Sequence, residues 1–212
     1  MKLNFRFVRS LLPIFLTFLI LFETVGFIAM TPKPQDRLFF EFYVLGTNRS
    51  ANDYYPNNSP FIQTNQSLTW YLGVVNRMES MQFINIRVKL ANQTLASPND
   101  TSVSPSPAPI VAEFKRFIQS NETWEIPFIW QILNFTTTQG YSRILRIQIG
   151  NVTYSLQDSP TCSSISSCSF RFIFELWTWN LDSGDFQFAW WNGDQQQIAW
   201  LQLWFNLTPG VP

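Results

Sequence analysis

The sequence contains no histidine at all. This absence excludes Ser-His-Asp and Cys-His catalysis, zinc sites with imidazole ligands, and histidine-based pH switches. No Walker loop and no Gly-x-Gly-x-x-Gly motif is present, so the usual nucleotide sites are not expected. Although 14 acidic residues are available, no pattern singles out a carboxylate pair for glycoside hydrolysis. We therefore predict no enzyme activity, no catalytic or metal-ligating residues and no cofactor.

Charge is also scarce. Charged residues make up 13% of the 212 positions, whereas about 25% is usual in soluble proteins. Fourteen basic residues balance 14 acidic ones, so the formal net charge is zero. A neutral chain offers no field that would recruit nucleic acid, which is therefore not an expected partner. The length suits one domain of ordinary size with an anchor.

The N-terminus carries the one long hydrophobic run of the sequence. Residues 1–10 are basic, and residues 11–30 are mostly apolar with Glu23 in the second half. Twenty helical residues rise about 30 Å, which matches the hydrocarbon core of a bilayer. We predict an uncleaved transmembrane anchor; a cleaved signal peptide and a pilin-type leader cut near Ser10 are the alternatives. The basic flank places the N-terminus inside and the rest of the chain outside the cell.

Residues 31–37 form a short spacer that contains Pro32 and Pro34. The six residues from Thr31 to Asp36 reach roughly 20 Å when fully extended. The domain that follows, residues 38–212, should therefore lie close to the lipid headgroups if the anchor is retained. Such a tether suits a fixed subunit of a membrane assembly.

An extracytoplasmic location also agrees with a high density of Asn-x-Ser/Thr sequons, which are glycosylation acceptors in secreted proteins. The candidate acceptors are Asn48, Asn57, Asn65, Asn92, Asn99, Asn121, Asn134, Asn151 and Asn206. In an oxidising compartment, Cys162 and Cys168 are expected to form a short-loop disulfide, with free thiols as the alternative.

The outer part of the chain reads as a series of strands. Apolar and polar residues alternate in residues 83–90 and 170–181, and an Asn-Gly-Asp turn at residues 192–194 predicts a final hairpin between residues 186–191 and 198–207. Residues 110–118 fit a helix or a strand. The Pro-rich stretch 96–109 is expected to be an exposed loop. These features predict an all-β fold, an antiparallel immunoglobulin-like β-sandwich preceded by one transmembrane helix.

Three short segments carry a family resemblance. Residues 40–46 read Phe-Glu-Phe-Tyr-Val-Leu-Gly, residues 73–76 read Gly-Val-Val-Asn, and residues 201–205 read Leu-Gln-Leu-Trp-Phe. In this order they resemble the extracytoplasmic domain of an archaeal membrane-protein family, domain of unknown function 1616. The resemblance covers residues 38–207 and implies an immunoglobulin-like sandwich with no known reaction. Arg77 stands where that family usually has histidine, and one N-terminal span takes the place of its multi-helix membrane half.

Tryptophan is concentrated near the C-terminus, and the strand at residues 198–207 is apolar on both faces. One face should cover the core, and the other needs a loop, a partner chain, a membrane or a glycan. The candidate interface residues are Trp177, Trp179, Trp200 and Trp204.

Three functions fit these features. The first is a non-enzymatic, membrane-anchored cell-surface protein of an archaeon that contacts other envelope or membrane proteins. The second is a surface carbohydrate-binding module that stacks glycans on tryptophan. The third is a pilus or filament subunit.

Overall fold

A computed structural model describes residues 16–23, 38–138, 140–162 and 169–208. The chain divides into two compact units, Met1–Arg37 and Leu38–Pro212. In the first unit, residues 16–23 are helical and their side chains are exposed. No helix among the described residues combines the length and the apolar character needed to cross a membrane. We refer to the second unit, Leu38–Pro212, as the β-domain.

The described part of the β-domain is built from strands joined by turns, with one short 3-10 helix at Pro56–Asn58. The strands are β1 (Phe40–Leu45), β2 (Phe61–Gln63), β3 (Leu68–Asn76), β4 (Gln82–Asn92), β5 (Ile110–Ile118), β6 (Thr123–Thr138), β7 (Tyr141–Ile149), β8 (Val152–Ser155), β9 (Thr161–Cys162), β10 (Ser169–Asn180), β11 (Asp185–Gln187), β12 (Trp190–Asn192), β13 (Gln195–Gln197) and β14 (Ala199–Thr208). The expectation of an all-β domain is confirmed.

The strands form two main sheets. The first sheet has the order β1-β3-β6-β7-β8, with β9 also paired to β7. The second has the order β2-β14-β10-β4-β5, with β11 also paired to β10, and β12 and β13 form a small separate hairpin. Apart from the parallel pair of β14 with β2, the ladders of the two main sheets are antiparallel.

The inner faces of the two sheets share one aromatic core. Trp70 on β3 lies 5.0 Å from Trp130 on β6 and 5.9 Å from Phe172 on β10, measured between ring centroids. Trp130 in turn lies 5.0 Å from Phe205 on β14. Because these rings come from both sheets and bury large apolar areas, they account for much of the stability of the domain.

Three details settle, extend or correct the sequence expectations. Residues 110–118 are a strand, which settles the choice between helix and strand. Residues 143–154 form a hairpin, because Gly150 adopts a φ of 57° and turns the chain between β7 and β8. The expected final hairpin is wrong in its pairing. The turn at residues 192–194 joins only β12 and β13, while β14 pairs with β10 and β2.

We call the end of the β-domain where the chain enters at Leu38 the entry end. It comprises the turns at residues 77–81, 119–122 and 181–184. Asn76 joins the first two turns, because its buried amide nitrogen donates to the carbonyl oxygens of Ser80 and Gln119 at 2.9 and 3.0 Å. Its Oδ1 accepts from the Met78 N–H at 2.8 Å. Asn76 is thus a structural turn residue.

Candidate functional site

The outer face of the second sheet carries a buried ion pair and two arginines that stack on tryptophan, and a loop covers part of it. This cover loop, residues 93–109, includes the Pro-rich stretch. Beneath it, Ala91 and Ile173 have no exposed surface and pack with Ala108, Leu95 and Trp200. The loop therefore supplies a second apolar cover for the middle of the sheet. Residues 96–109, expected to be simply exposed, instead hold Ser106 and Ala108 in buried positions.

A buried ion pair lies under the cover loop. Lys89 Nζ is 2.9 Å from Glu175 Oε2, and the two side chains are 6% and 0% exposed. Glu175 also accepts hydrogen bonds from the Ser106 N–H at 2.7 Å and from Trp177 Nε1 at 3.0 Å. Lys89 donates to the Ser106 carbonyl oxygen as well. Because these bonds engage both carboxylate oxygens, the pair serves to attach the loop and is not arranged for proton transfer.

Arg171 holds the other part of the cover loop. Its guanidinium donates to Ser97 Oγ at 2.8 Å, to Gln202 Oε1 at 2.6 Å and to the Leu95 carbonyl oxygen at 2.5 Å. The same group lies 4.5 Å above the ring of Trp204. Burial lowers the pKa of Arg171 below its ordinary value.

A second arginine stacks on tryptophan further along the same face. The guanidinium of Arg87 lies 3.8 Å from the ring centroid of Trp177 and is 3.0 Å from Glu113. Burial favours the protonated form of Glu113, but hydrogen bonds from Asn85, Lys115 and Arg87 outweigh it and lower the pKa of this carboxyl. Glu113 is therefore held ionised by its neighbours.

A polar cleft of about 490 Å³ opens beside the cover loop. Its lining includes Phe40, Phe42, Asp100, Gln196, Gln197 and Trp200. Trp200 Nε1 donates to Asp100 Oδ1 at 3.0 Å, which fixes the edge of the indole at the rim. An aromatic ring beside amide and carboxylate groups is a combination suited to binding a polar ligand that also has an apolar face, such as a sugar.

A second group of rings lies on the outer face at the entry end, which the cover loop does not reach. This entry-end cluster consists of Phe83, Phe117, Trp179 and Phe186. The rings of Phe83 and Phe117 are stacked at 4.2 Å, and Phe186 lies 5.0 Å from Phe83 and 5.1 Å from Trp179. Phe117 is 57% exposed, and the other three are half-buried.

The structure separates the four predicted interface tryptophans. All four are half-buried. Trp177 and Trp204 lie under arginines, Trp200 forms the rim of the polar cleft, and Trp179 belongs to the entry-end cluster. They therefore do not form one platform, and the interface role of each stays a prediction.

Phe83 and Phe117 are surface residues that were not among the sequence predictions. Strand parity carries a signal for Phe83, since it shares its face with the polar residues Asn85 and Arg87. Phe117 is paired directly with Phe83 in the β4–β5 ladder.

Most sequons lie where a glycan could be accommodated. The exposed acceptors are Asn48, Asn57, Asn65, Asn99, Asn121, Asn134 and Asn151, and Asn206 is half-buried. Asn92 differs from these acceptors, because it is 3% exposed. Asn92 Nδ2, the atom that would carry the glycan, donates to the Thr161 carbonyl oxygen at 2.7 Å, while Oδ1 accepts from the Leu95 N–H at 3.0 Å.

The remaining candidate groups are the two cysteines and the acidic residues of the last turns. Cys162 is buried at the end of β9, and Cys168 lies outside the described residues, so their disulfide stays a prediction. Asp182 and Asp185 lie at the turn between β10 and β11, where Asn180 Oδ1 accepts from the Asp182 N–H at 2.8 Å. In the described part of the chain, no three Cys, Asp or Glu side chains form a group that could hold a metal ion.

Comparisons with known proteins add little. No family model matches the chain, and no curated protein matches it. Similar solved structures include β-glucosidase from Listeria innocua in complex with gluconolactone, with 17% identity, a TM-score of 0.31 and coverage of 58% of this chain and 16% of that one. The same enzyme in complex with glucose has 18% identity and a TM-score of 0.30, with coverage of 59% of this chain and 15% of that one. In complex with isofagomine it has 17% identity and a TM-score of 0.32, with coverage of 60% and 16%.

The chain thus spans about one sixth of the length of these enzymes. Similarity at such TM-scores carries no argument about activity.

Proposed function

We propose that this chain is a non-enzymatic, single-pass membrane protein of the cell surface, whose β-domain lies outside the cell and contacts other envelope or membrane proteins. In this proposal the β-domain is an immunoglobulin-like β-sandwich, and residues 11–30 form a transmembrane helix with the N-terminus inside. The resemblance to the archaeal domain of unknown function 1616 belongs to the same proposal.

The observation that carries the proposal is the exposure of seven sequon asparagines on the β-domain. They are distributed over several loops and strands, so glycosylation there would leave the core and the ladders intact. The 20-residue apolar run behind a basic N-terminus supports attachment to the membrane. The low fraction of charged residues, 13%, supports contact with other proteins, since the cores of interfaces are depleted in charge.

The test uses the full-length protein in cells of its native host. Carbonate extraction should leave it in the membrane pellet, and a protease added to intact cells should remove the β-domain. Sizing in mild detergent should show a particle larger than one chain. Release by carbonate would overturn the anchor, and protection from protease in intact cells would overturn the orientation. A strictly monomeric particle would overturn the association with other envelope proteins.

The polar cleft favours a second candidate function, carbohydrate binding. Trp200, Asp100 and the two glutamines at 196 and 197 place a ring and several hydrogen-bonding groups around one opening. Trp200→Ala should abolish glycan binding, whereas Trp204→Ala, which changes a tryptophan under Arg171 on the same strand, should leave it intact. Silence of the unchanged protein on a glycan array, with no change in tryptophan fluorescence, would remove this candidate.

The pilus alternative depends on cleavage near Ser10, which lies outside the described residues. N-terminal sequencing of the mature protein separates it from the main proposal, since an intact Met1 or Lys2 excludes leader processing.

A further inference from the structure

The entry end of the β-domain exposes an unusual set of large apolar side chains. Five of the ten strongly exposed ones in the described part of the domain lie there. They are Phe39 at 41%, Met81 at 52%, Phe117 at 57%, Leu181 at 88% and Trp191 at 57% exposure. Exposed apolar groups gathered at one end of a domain mark a contact surface more often than scattered ones do.

Three of these side chains, Phe117, Leu181 and Trp191, belong to a single surface. Trp179 of the entry-end cluster, Leu181 and Trp191 line one open cleft of about 260 Å³. Phe117 continues the surface through its stacking on Phe83, which lies 5.9 Å from Trp179.

Three ion pairs lie at this end. Arg77 is 2.7 Å from Glu41, Arg116 is 2.7 Å from Glu122, and Lys115 is 3.2 Å from Glu113. The surface presents aromatic and aliphatic groups within a rim that also carries three exposed acids, Glu79, Asp182 and Asp185. This composition suits the interfacial region of a bilayer made of zwitterionic lipid, where Trp is enriched, and does not depend on anionic headgroups.

The path of the chain indicates that the lipid bilayer is what this surface contacts. The Phe39 carbonyl oxygen accepts from the Arg77 N–H at 3.0 Å, so the chain enters the β-domain at this end. The apolar run ends at residue 30, and the spacer between this run and the β-domain reaches roughly 20 Å at most. If the run crosses the bilayer, the entry end is the part of the domain held nearest to the lipid.

We infer that the entry end of the β-domain rests in the lipid interface, with Trp179, Leu181 and Trp191 in contact with lipid. This inference depends on the proposed membrane anchor and adds to it a fixed orientation of the domain. The tether brings the surface to the membrane, and burial of its apolar groups then holds the domain there.

Tryptophan fluorescence can test this contact directly, because all nine tryptophans follow residue 69 and the N-terminal segment has none. The full-length protein is reconstituted into phosphatidylcholine vesicles with and without brominated acyl chains, which quench nearby indoles. We expect quenching of the unchanged protein. The double variant Trp179→Phe/Trp191→Phe should lose more than half of the quenched signal, whereas Trp204→Phe should lose almost none.

A second variant guards against effects on folding. Leu181→Asp changes a side chain that is 88% exposed, so the domain should keep its circular dichroism spectrum while the quenching decreases. Equal quenching in all variants, or none in the unchanged protein while carbonate leaves it in the vesicles, would overturn the inference and leave the anchor standing. Carbonate release from the vesicles would instead overturn the anchor, and the inference with it.

Discussion

The buried Lys89–Glu175 pair limits which substitutions the protein tolerates at these two positions. Removing one partner leaves the other uncompensated in a place that has almost no contact with water. Replacing both removes the desolvation cost of both charges. The effect of substituting one member of the pair on stability therefore depends on whether the other member is still charged.

We predict that Lys89→Met and Glu175→Met each lower the free energy of unfolding, by about 3–5 kcal/mol for Lys89→Met. The double variant Lys89→Met/Glu175→Met should be more stable than Lys89→Met alone. Urea denaturation of the three variants provides the measurement. Additive losses in the double variant would show that the two side chains act independently.

Glu113 predicts a pH dependence of stability. Its pKa is lower in the folded state than its ordinary value because Asn85, Lys115 and Arg87 bond to the carboxylate. The unfolded state therefore takes up the proton more readily, and the stability from this group is present above its ordinary pKa. This contribution is lost as the pH falls below the ordinary pKa of a glutamate, about 4.3, and through the lower pKa of the folded state.

Glu113→Gln should therefore be less stable than the unchanged protein at neutral pH and should lose less stability on acidification. Thermal unfolding at a series of pH values measures this. Glu79→Gln, which changes an exposed acid in the turn at residues 77–81, is the matched control and should follow the unchanged protein. An equal acid-induced loss in Glu113→Gln would contradict the assignment.

At the scale of elements, the cover loop is held by side chains from the sheet more than by ladder bonds. Its described backbone bonds include the bridge between Asn99 and Ser104 near its tip, whereas Arg171 and Glu175 reach the loop from β10. A loop attached in this way can open while the sheets remain folded.

We predict that Arg171→Met increases amide hydrogen exchange in residues 93–97 by at least tenfold, a change of about 1.4 kcal/mol in the opening free energy. The reason is that this variant loses the bonds to Ser97 and Leu95. Mass spectrometry of the corresponding peptide is the measurement. Arg87→Met, which removes the other arginine stacked on tryptophan, is the control and should leave the exchange of the loop unchanged.

At the scale of the whole molecule, the exposure of the sequons predicts which asparagines are glycosylated. Glycopeptide mass spectrometry of the native protein should find glycans among the seven exposed acceptors and none on Asn92, whose amide is bonded within the fold. Asn151, exposed in the turn between β7 and β8, is the comparison site. Similar occupancy at Asn92 and Asn151 would mean that modification precedes folding and that the buried bond does not form in the glycosylated protein.

The alternation of apolar and polar residues and the turn residues between these segments were enough to determine the all-β class and the position of most long strands. These are local properties, since side chains alternate across a strand with period two whatever its neighbours are. The same alternation also placed polar residues such as Arg87 and Lys89 on the outer side of β4.

Only the tertiary structure decided what meets that outer face. Strand parity tells which side of a strand a residue occupies, but not which distant segment covers it. Lys89 and Glu175 are 86 positions apart, and Phe83 and Phe117 become neighbours only through the β4–β5 ladder. The parallel pairing of β14 with β2 likewise joins the last strand of the β-domain to the second. Such contacts depend on which strands the whole core brings together, and so the cover loop, the polar cleft and the entry-end cluster emerge only in the folded molecule.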